Sequence, residues 1–371
     1  MKKGWQTKKL GEICTVDWGN TDLTKSAYVE GGKFLAVSAA GCDGRIGHKE
    51  HEKYTPVLSA IGAQCGRMFL PEEDFTAIKN TITLTPRDGI CTGRFLYQLL
   101  THVELPKRGA AQPFISKGDI QSFQVPVPPL AEQQRIVGLL DEAFEGLATA
   151  KANAEKNLQN ARALFESHLQ SVFTQSGPGW VEKTLGDVFT TATGTTPPKN
   201  NADFYGDFMP LVKPPELCDE AFDSAPDGLS EAGAAVARTL PAKSILVSCI
   251  GNLGKIGLNT VPVAFNQQIN AILPDESQAI PEFMFFQSLS PAFKSQLESL
   301  ASGTTVPIVN KSKFNSVSVL LPSLPIQKSV VAQLSDLREE TQRLARIYEQ
   351  KLAALEALKK SLLHQAFTGE L

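Results

Sequence analysis

The sequence predicts an α+β molecule built twice over: two similar β-rich blocks with short helices, each followed by one long helix. Three observations carry this. Trp5-Gln6-Thr7-Lys8-Lys9-Leu10-Gly11-Glu12-Ile13 returns 175 positions later as Trp180-Val181-Glu182-Lys183-Thr184-Leu185-Gly186-Asp187-Val188. Gly109-Ala110-Ala111-Gln112-Pro113-Phe114-Ile115-Ser116-Lys117 returns 194 positions later as Gly303-Thr304-Thr305-Val306-Pro307-Ile308-Val309-Asn310-Lys311. After each block, apolar residues recur at 3–4 spacing over several heptads, the period of a coiled-coil seam. Related halves in one chain make a pseudo-two-fold internal repeat. The offset grows from 175 to 194 inside the blocks, so the second block is about nineteen residues longer.

The first block, residues 1–130, reads as mixed structure. Phe34-Leu35-Ala36-Val37-Ser38 and Thr81-Ile82-Thr83-Leu84-Thr85 are β-rich runs bounded by Gly, Pro and Asp. Phe95-Leu96-Tyr97-Gln98-Leu99-Leu100 reads as a short buried helix. Ile61-Gly62-Ala63-Gln64-Cys65-Gly66-Arg67 is a glycine turn following a strand-like run. Val125-Pro126-Val127-Pro128-Pro129-Leu130 closes the block, because proline is tolerated only in the first turn of a helix. A helical segment follows at 131–176. Its apolar positions are Ile136, Leu140, Ala143, Leu147, Ala150, Ala154, Leu158, Ala161, Phe165 and Val172, and Gly177-Pro178-Gly179 stops it. Alanines on this seam allow a partner helix to approach closely.

The second block, 177–325, offers parallels. Ser244-Ile245-Leu246-Val247-Ser248 reads as a strand, Ile250-Gly251-Asn252-Leu253-Gly254-Lys255 as a glycine turn, and Phe283-Met284-Phe285-Phe286 as a helix. Leu321-Pro322-Ser323-Leu324-Pro325 is its exit. The second long helix, 326–371, places Leu334, Leu337, Leu344, Tyr348, Leu352, Leu355, Leu358 and Leu362 on one seam. At 1.5 Å per residue each helix reaches roughly 60 Å. The plainer arrangement, two surface helices packed only on their own blocks, would leave much of so long a seam uncovered.

Composition narrows the function. The chain has 371 residues, enough for two or three domains with their own cores. No apolar run approaches a membrane span, and the polar start at Met1-Lys2-Lys3-Gly4-Trp5 is not a signal-peptide core, so a cytoplasmic location is expected. Six cysteines without CxxC spacing read as buried free thiols. Net charge is −3 overall, but the first block carries +3 and the second −5. Any nucleic-acid surface must therefore come from local clustering.

No catalytic signature appears. Gly251-Asn252-Leu253-Gly254-Lys255 is too short for a phosphate loop, and Ile256 stands where a magnesium-binding hydroxyl is needed. Lys213-Pro214-Pro215-Glu216 lacks both the amide and the aromatic of an amino-methyltransferase motif. His48-Lys49-Glu50-His51 has no third metal ligand nearby and reads as a solvated loop. The chain reads as a binding module without catalytic residues or metal.

Polar and basic residues gather near the glycine turns and the repeated loops. In the first block these are Arg45, Lys49, Arg67, Lys79, Asn80, Lys107, Arg108, Gln112 and Lys117. In the second they are Thr195, Thr196, Lys199, Lys213, Asn252, Lys255, Gln267, Gln268, Thr304, Thr305, Lys311 and Lys313. Lys and Arg suit phosphates and guanine, while Asn and Gln suit adenine.

The Trp-x-x-Lys-x-Leu-Gly-[Glu/Asp]-[Ile/Val] starts, Gly303-Thr304-Thr305-Val306-Pro307-Ile308, the Pro-x-Leu-x-x-Gln motifs at Pro128–Gln133 and Pro322–Gln327, and Phe367-Thr368-Gly369-Glu370-Leu371 together resemble the specificity subunit of type I restriction–modification enzymes. The likeness spans nearly the whole chain. It departs at Ala110-Ala111, where the second half has Thr304-Thr305, so the first half keeps the turn without the hydroxyls. The resemblance implies that each block is a target recognition domain reading half of a bipartite, asymmetric site on double-stranded DNA. It implies that the two helices pair antiparallel as a spacer, since half-sites about 34 Å apart suit a rigid rod of this size. Two methyltransferase subunits and the restriction–translocation subunits would be the partners. S-adenosylmethionine, ATP and Mg would serve those partners, with no cofactor on this chain. The seams can also pack on a second copy, so the isolated chain is a candidate homodimer. The alternative from another class is a coiled-coil scaffold that binds protein through its two blocks.

Overall fold

The computed structural model describes residues 4–175, 177–303 and 305–371. The chain divides into two compact units, Met1–Glu155 with Gln350–Leu371, and Lys156–Glu349.

The first unit begins with β1 (Gln6–Lys9), the one-turn α1 (Leu10–Ile13) and β2 (Cys14–Trp18). Then come β3 (Phe34–Ser38), β4 (Gly41–Ile46), β5 (Val57–Ser59), β6 (Met68–Phe69), β7 (Phe75–Ala77) and β8 (Thr81–Pro86). Helices α2 (Gly93–His102) and α3 (Lys117–Ser122), strand β9 (Gln124–Val127) and the long α4 (Leu130–Thr174) complete the run. The strands form a four-stranded sheet β2-β8-β5-β6, a three-stranded sheet β4-β3-β7 and an antiparallel pair β1-β9. The runs expected as strands at 34–38 and 81–85 are β3 and most of β8, and the expected 95–100 helix lies within α2.

The second unit repeats this with additions. Strand β10 (Val181–Thr184), helix α5 (Leu185–Val188) and strand β11 (Thr190–Thr193) open it. Strands β12 (Tyr205–Val212), β13 (Glu220–Phe222) and β14 (Gly228–Leu229), helix α6 (Glu231–Val236) and strand β15 (Thr239–Leu240) follow. After them come β16 (Ile245–Ser248), β17 (Ile256–Asn259), β18 (Val263–Phe265) and β19 (Ile269–Leu273). The unit closes with α7 (Pro281–Leu289), α8 (Pro291–Leu300), α9 (Lys311–Asn315), β20 (Ser318–Leu321) and the long α10 (Leu324–Thr368). Its sheets are β11-β19-β16-β17-β13, β14-β12-β18-β15 and β10-β20.

The Pro-x-Leu-x-x-Gln motif has a structural cause. Gln133, in the first turn of α4, is fully buried. Its Oε1 accepts from the Thr92 backbone N–H at 3.0 Å, and its Nε2 donates to the Ile90 and Pro128 carbonyls at 2.8 and 2.9 Å. Thr92 is in turn the N-cap of α2. Gln327 does the same in the second unit, accepting from Ile280 at 2.9 Å and donating to Gln278 and Pro322 at 3.0 and 2.9 Å. One amide thus satisfies three buried backbone groups that would otherwise be orphaned, and locks the long helix to its block.

Within each unit the two long helices run antiparallel. In the first, Lys151 meets Glu356 at 2.9 Å, and the Lys359 ammonium lies 5.2 Å from the Phe144 ring centre. In the second, Arg162 meets Glu349 at 2.8 Å, and Arg338 lies 5.9 Å from the Phe165 ring centre. Exposed ion pairs of this kind contribute about 0–1 kcal/mol each. Apolar burial at Leu140, Ala154, Ala161 and Leu334 therefore carries the pairing. The ends of the seams sink into the blocks: Ile136, Leu140, Leu363, Ala366 and Phe367 join the core of the first unit, and Leu169, Phe173 and Leu334 that of the second.

Two expectations need correction. Leu358, placed on the seam by spacing, is 48% exposed, because Leu355 and Leu362 take the inward positions. Four of the six cysteines are buried, but Cys42 and Cys218 are exposed. Burial pushes the Cys14, Cys91 and Cys249 thiols up to about 12, which keeps them protonated and inert. No helix among the described residues is long and apolar enough to cross a membrane.

Candidate nucleic-acid interface

Four loops meet at one place in each unit, and the same backbone hydrogen bonds hold them in both. The glycine turn after β5 is tied to the repeated loop by Gly62 N–H to Pro113 O, 3.0 Å; its counterpart after β16 is tied by Gly251 N–H to Pro307 O, 3.0 Å. The preceding residue in each unit receives the third loop, Ala60 N–H bonding Asn80 O at 2.9 Å and Cys249 N–H bonding Gln268 O at 2.8 Å. The fourth loop joins by Asn20 N–H to Ala77 O, 2.7 Å, and by Thr195 N–H to Phe265 O, 2.9 Å. Residues 77–80 therefore correspond one by one to 265–268.

Glycine makes these approaches possible. A Cβ at Gly194 would lie 2.1 Å from the Asn266 carbonyl oxygen, and one at Gly19 would lie 2.2 Å from Thr81 Oγ1. Gly109 and Gly303 have φ of +79° and +103°, and a Cβ on either would strike the carbonyl of Gln112 or Val306. This is why the repeated loop begins with glycine in both halves. At Gly66 the missing side chain lets Lys107 lie across the turn, since a Cβ there would come 2.4 Å from the Lys107 Cε.

The expected DNA-contacting residues that are described fall into four groups. Arg67, Lys79, Asn80, Lys107, Arg108 and Gln112 belong to the first unit's four loops, as Thr195, Thr196, Asn252, Lys255, Gln267, Gln268 and Thr305 belong to the second's. Lys199 and Lys213 flank these, Lys213 directly following the β12 end that bonds Asn266. Thr304 lies outside the described residues. Lys117 and Lys311 open the equivalent helices α3 and α9. Arg45 and Lys49 stand apart, bonded to Glu73 at 2.8 Å and Asp74 at 2.6 Å just before β7, whereas Lys79 and Asn80 follow its other end.

Several of these cations are already engaged. Arg108 pairs with Asp119, Lys117 with Asp17 at 2.6 Å, and Lys213 with Asp227. Bonds from Ser116 and Arg108 hold the Asp119 carboxyl below the usual carboxylate range. Lys313 donates to the Leu300 carbonyl at the end of α8, 2.8 Å. Arg67 lies 5.3 Å from the Phe69 ring centre. Among the described residues Lys79, Lys107, Lys199, Lys255 and Lys311 form no ion pair, which leaves their ammonium groups available for phosphates or bases.

Residues 2–158 and 178–354 each match the family described as the type I restriction modification DNA specificity domain. The chain belongs to that family. Among curated relatives, it is 33% identical to the HindI specificity subunit of Haemophilus influenzae, over 55% of this chain and 47% of that one. It is 22% identical to the MjaIX specificity subunit of Methanocaldococcus jannaschii, over 100% and 94% of the two chains. In fold it resembles a chain from a type I restriction–modification assembly, with TM-score 0.79 at 19% identity, covering 100% of this chain and 99% of the other. It also resembles the HsdS subunit of Thermoanaerobacter tengcongensis, with TM-score 0.62 at 19% identity, covering 100% and 98%. Two copies of the specificity domain in one chain account for the internal repeat.

Asn20 and Thr21, which residue type alone does not single out, take the place in the first unit that Thr195 and Thr196 take in the second. The signal was present: the same offset of 175 that relates Trp5 to Trp180 carries Asn20 to Thr195. Two exposed aromatics, Trp18 and Phe114, also flank the loops, and no charge or polarity pattern points to them.

Proposed function

We propose that this chain is a non-catalytic DNA-recognition subunit whose two specificity domains each read one half of a bipartite, asymmetric double-stranded site. The observation that carries this is the convergence of the same four glycine-shaped loops in both units, with Lys79 and Lys107 in one and Lys255 in the other free of ion pairs among the described residues. Arg67, Lys79, Asn80, Lys107, Arg108 and Gln112 serve one half-site, and Thr195, Thr196, Asn252, Lys255, Gln267, Gln268, Thr304 and Thr305 the other. Lys117, Lys199, Lys213 and Lys311 serve the neighbouring phosphates. Residues 1–130 and 177–325 are the reading heads, and 131–176 and 326–371 the spacer that sets the gap and receives methyltransferase subunits. Restriction subunits join that assembly in the cytoplasm. Adenine methylation and ATP-dependent cleavage are work of the partners.

The test is co-expression with the methyltransferase partner and genome-wide mapping of methylated adenines by single-molecule sequencing. Two short specific parts around a constant unspecified gap are expected. A continuous palindrome would refute asymmetric reading. Absence of chain-dependent methylation would move the assignment to a protein-binding scaffold.

A further inference from the structure

In each unit the long helices meet through one ring and one cation, and the units exchange which helix supplies which. In the first, α4 gives Phe144 and α10 gives Lys359, whose ammonium lies 5.2 Å from the ring centre. In the second, α4 gives Phe165 and α10 gives Arg338, 5.9 Å from the ring centre. The positions are the same, because the offset of 194 carries Phe144 to Arg338 and Phe165 to Lys359. That offset is a structural equivalence along the helices: buried Leu140, Leu169 and Phe173 map onto buried Leu334, Leu363 and Phe367. The ion pairs divide in the same way. Lys151 and Arg162 of α4 meet Glu356 and Glu349 of α10, and Arg162 is itself the equivalent of Glu356. Side-chain volume divides too. Ala143, Ala150, Ala154 and Ala161 on α4 are the equivalents of Leu337, Leu344, Tyr348 and Leu355 on α10, and all eight are buried or half-buried.

Two seams with one repeat pattern can pair with each other or with copies of themselves. We infer that the surface of α10 fits an α4 helix and rejects a second α10. With another α10 in the place of α4, Arg338 of the second copy falls on Lys359, and its Glu356 falls on Glu349. Each contact occurs twice, so four like-charge contacts replace two cation–ring contacts and two ion pairs. Leucine and tyrosine would also meet leucine and tyrosine across a gap shaped for alanine. An α4 pair is opposed less: Lys151 falls on Arg162, but Arg162 falls on Glu155, and facing alanines leave voids. The consequence is directional and does not depend on the DNA reading. Two copies of the second block cannot be joined symmetrically through α10. The chain pairs its own seams, or two chains exchange halves and keep every native contact.

The experiment makes α10 complementary to itself in the full chain and measures dimerisation by sedimentation equilibrium after refolding from urea. Arg338→Phe with Glu349→Lys gives a second copy a ring for Lys359 and a cation for Glu356. Its neutral counterpart is Arg338→Met with Glu349→Gln, which removes the same native contacts and creates none between copies. Lys359→Phe with Glu356→Lys does the same from the other end, against Lys359→Met with Glu356→Gln. This second pair leaves Arg338 intact, which also rests on Phe285 at 5.3 Å. Four new contacts, each worth about two- to fivefold in an association constant, should tighten dimerisation about ten- to several-hundred-fold over the neutral counterpart. Exchange of halves does not produce this gain, since the same substitutions weaken the pairing of α4 with α10. Circular dichroism identifies a variant that has lost its fold, and the other pair then decides. No gain in any folded pair overturns the inference, because α10 would then be indifferent to the charges it meets.

Discussion

Replacing Gln133 by alanine tests whether one buried amide holds the first block to its helix. The side chain makes three hydrogen bonds, to Thr92, Ile90 and Pro128, and is wholly shielded from solvent. A net contribution of about 1 kcal/mol for each bond gives about 3 kcal/mol, before any penalty for the orphaned Thr92 N–H. In a unit of this size that corresponds to a fall of roughly 6–12 °C in the unfolding midpoint. Gln133→Glu separates shape from bonding. It keeps the volume and the acceptor, but turns an oxygen toward the Ile90 and Pro128 carbonyls, and should destabilise at least as much as alanine. Urea unfolding followed by circular dichroism measures both. Gln327→Ala should behave alike in the second unit, and the double variant should be additive within about 0.5 kcal/mol. A loss under about 0.5 kcal/mol for Gln133→Ala, or a glutamate variant as stable as wild type, would refute the reasoning.

Gly303→Ala puts a Cβ 2.4 Å from the Val306 carbonyl oxygen at a φ of +103°, so a destabilisation of about 1–3 kcal/mol and weaker DNA binding are expected, checked by urea unfolding and by binding titration. Burial lowers the affinity of His51 and His102 for a proton, with His364 adding to the effect at His102. Their neutral forms are favoured on folding, so stability is full above the ordinary imidazole value of 6.5 and is lost as pH falls below it toward the depressed values. Comparing unfolding at neutral and mildly acidic pH for wild type and His51→Gln should show a smaller acid loss in the variant; equal losses would exclude His51 as a contributor. Inserting four residues within 150–160 adds about 6 Å of helix. It should lengthen the unspecified gap and leave both half-sites intact, as read by methylation mapping.

The long helices were legible because apolar 3–4 spacing, proline entries and the Gly177-Pro178-Gly179 stop all act within a few residues of chain. Glycine turns were legible for the same reason: Gly62, Gly66, Gly251 and Gly254 do adopt positive φ. Sheet pairing was not, since β1 pairs with β9 across more than a hundred residues and no local pattern reports that register. The loop cluster was legible as turns rather than as side-chain contacts. Lys313 donates to the Leu300 carbonyl and Arg45 pairs with Glu73, contacts that residue type alone does not report. The Thr196–Gln267 bond joins positions 71 apart. Only folding shows that this amide oxygen already accepts one hydrogen bond.

The core of the first unit holds residues from both ends of the numbering. Trp5, Leu10 and Ile13 lie buried in the same cluster as Leu363, Ala366 and Phe367, and Phe95 meets Phe367 with ring centres 5.7 Å apart. The second unit is contiguous. During translation at about 5–20 residues per second, the first block emerges on the order of 10–50 s before the helix segment that completes it. The later-made half can therefore mature first, while the earlier half waits with an open apolar seat. That interval is when a stalled chain would be most exposed to proteolysis, because residues 363–367 have yet to fill the first unit's core.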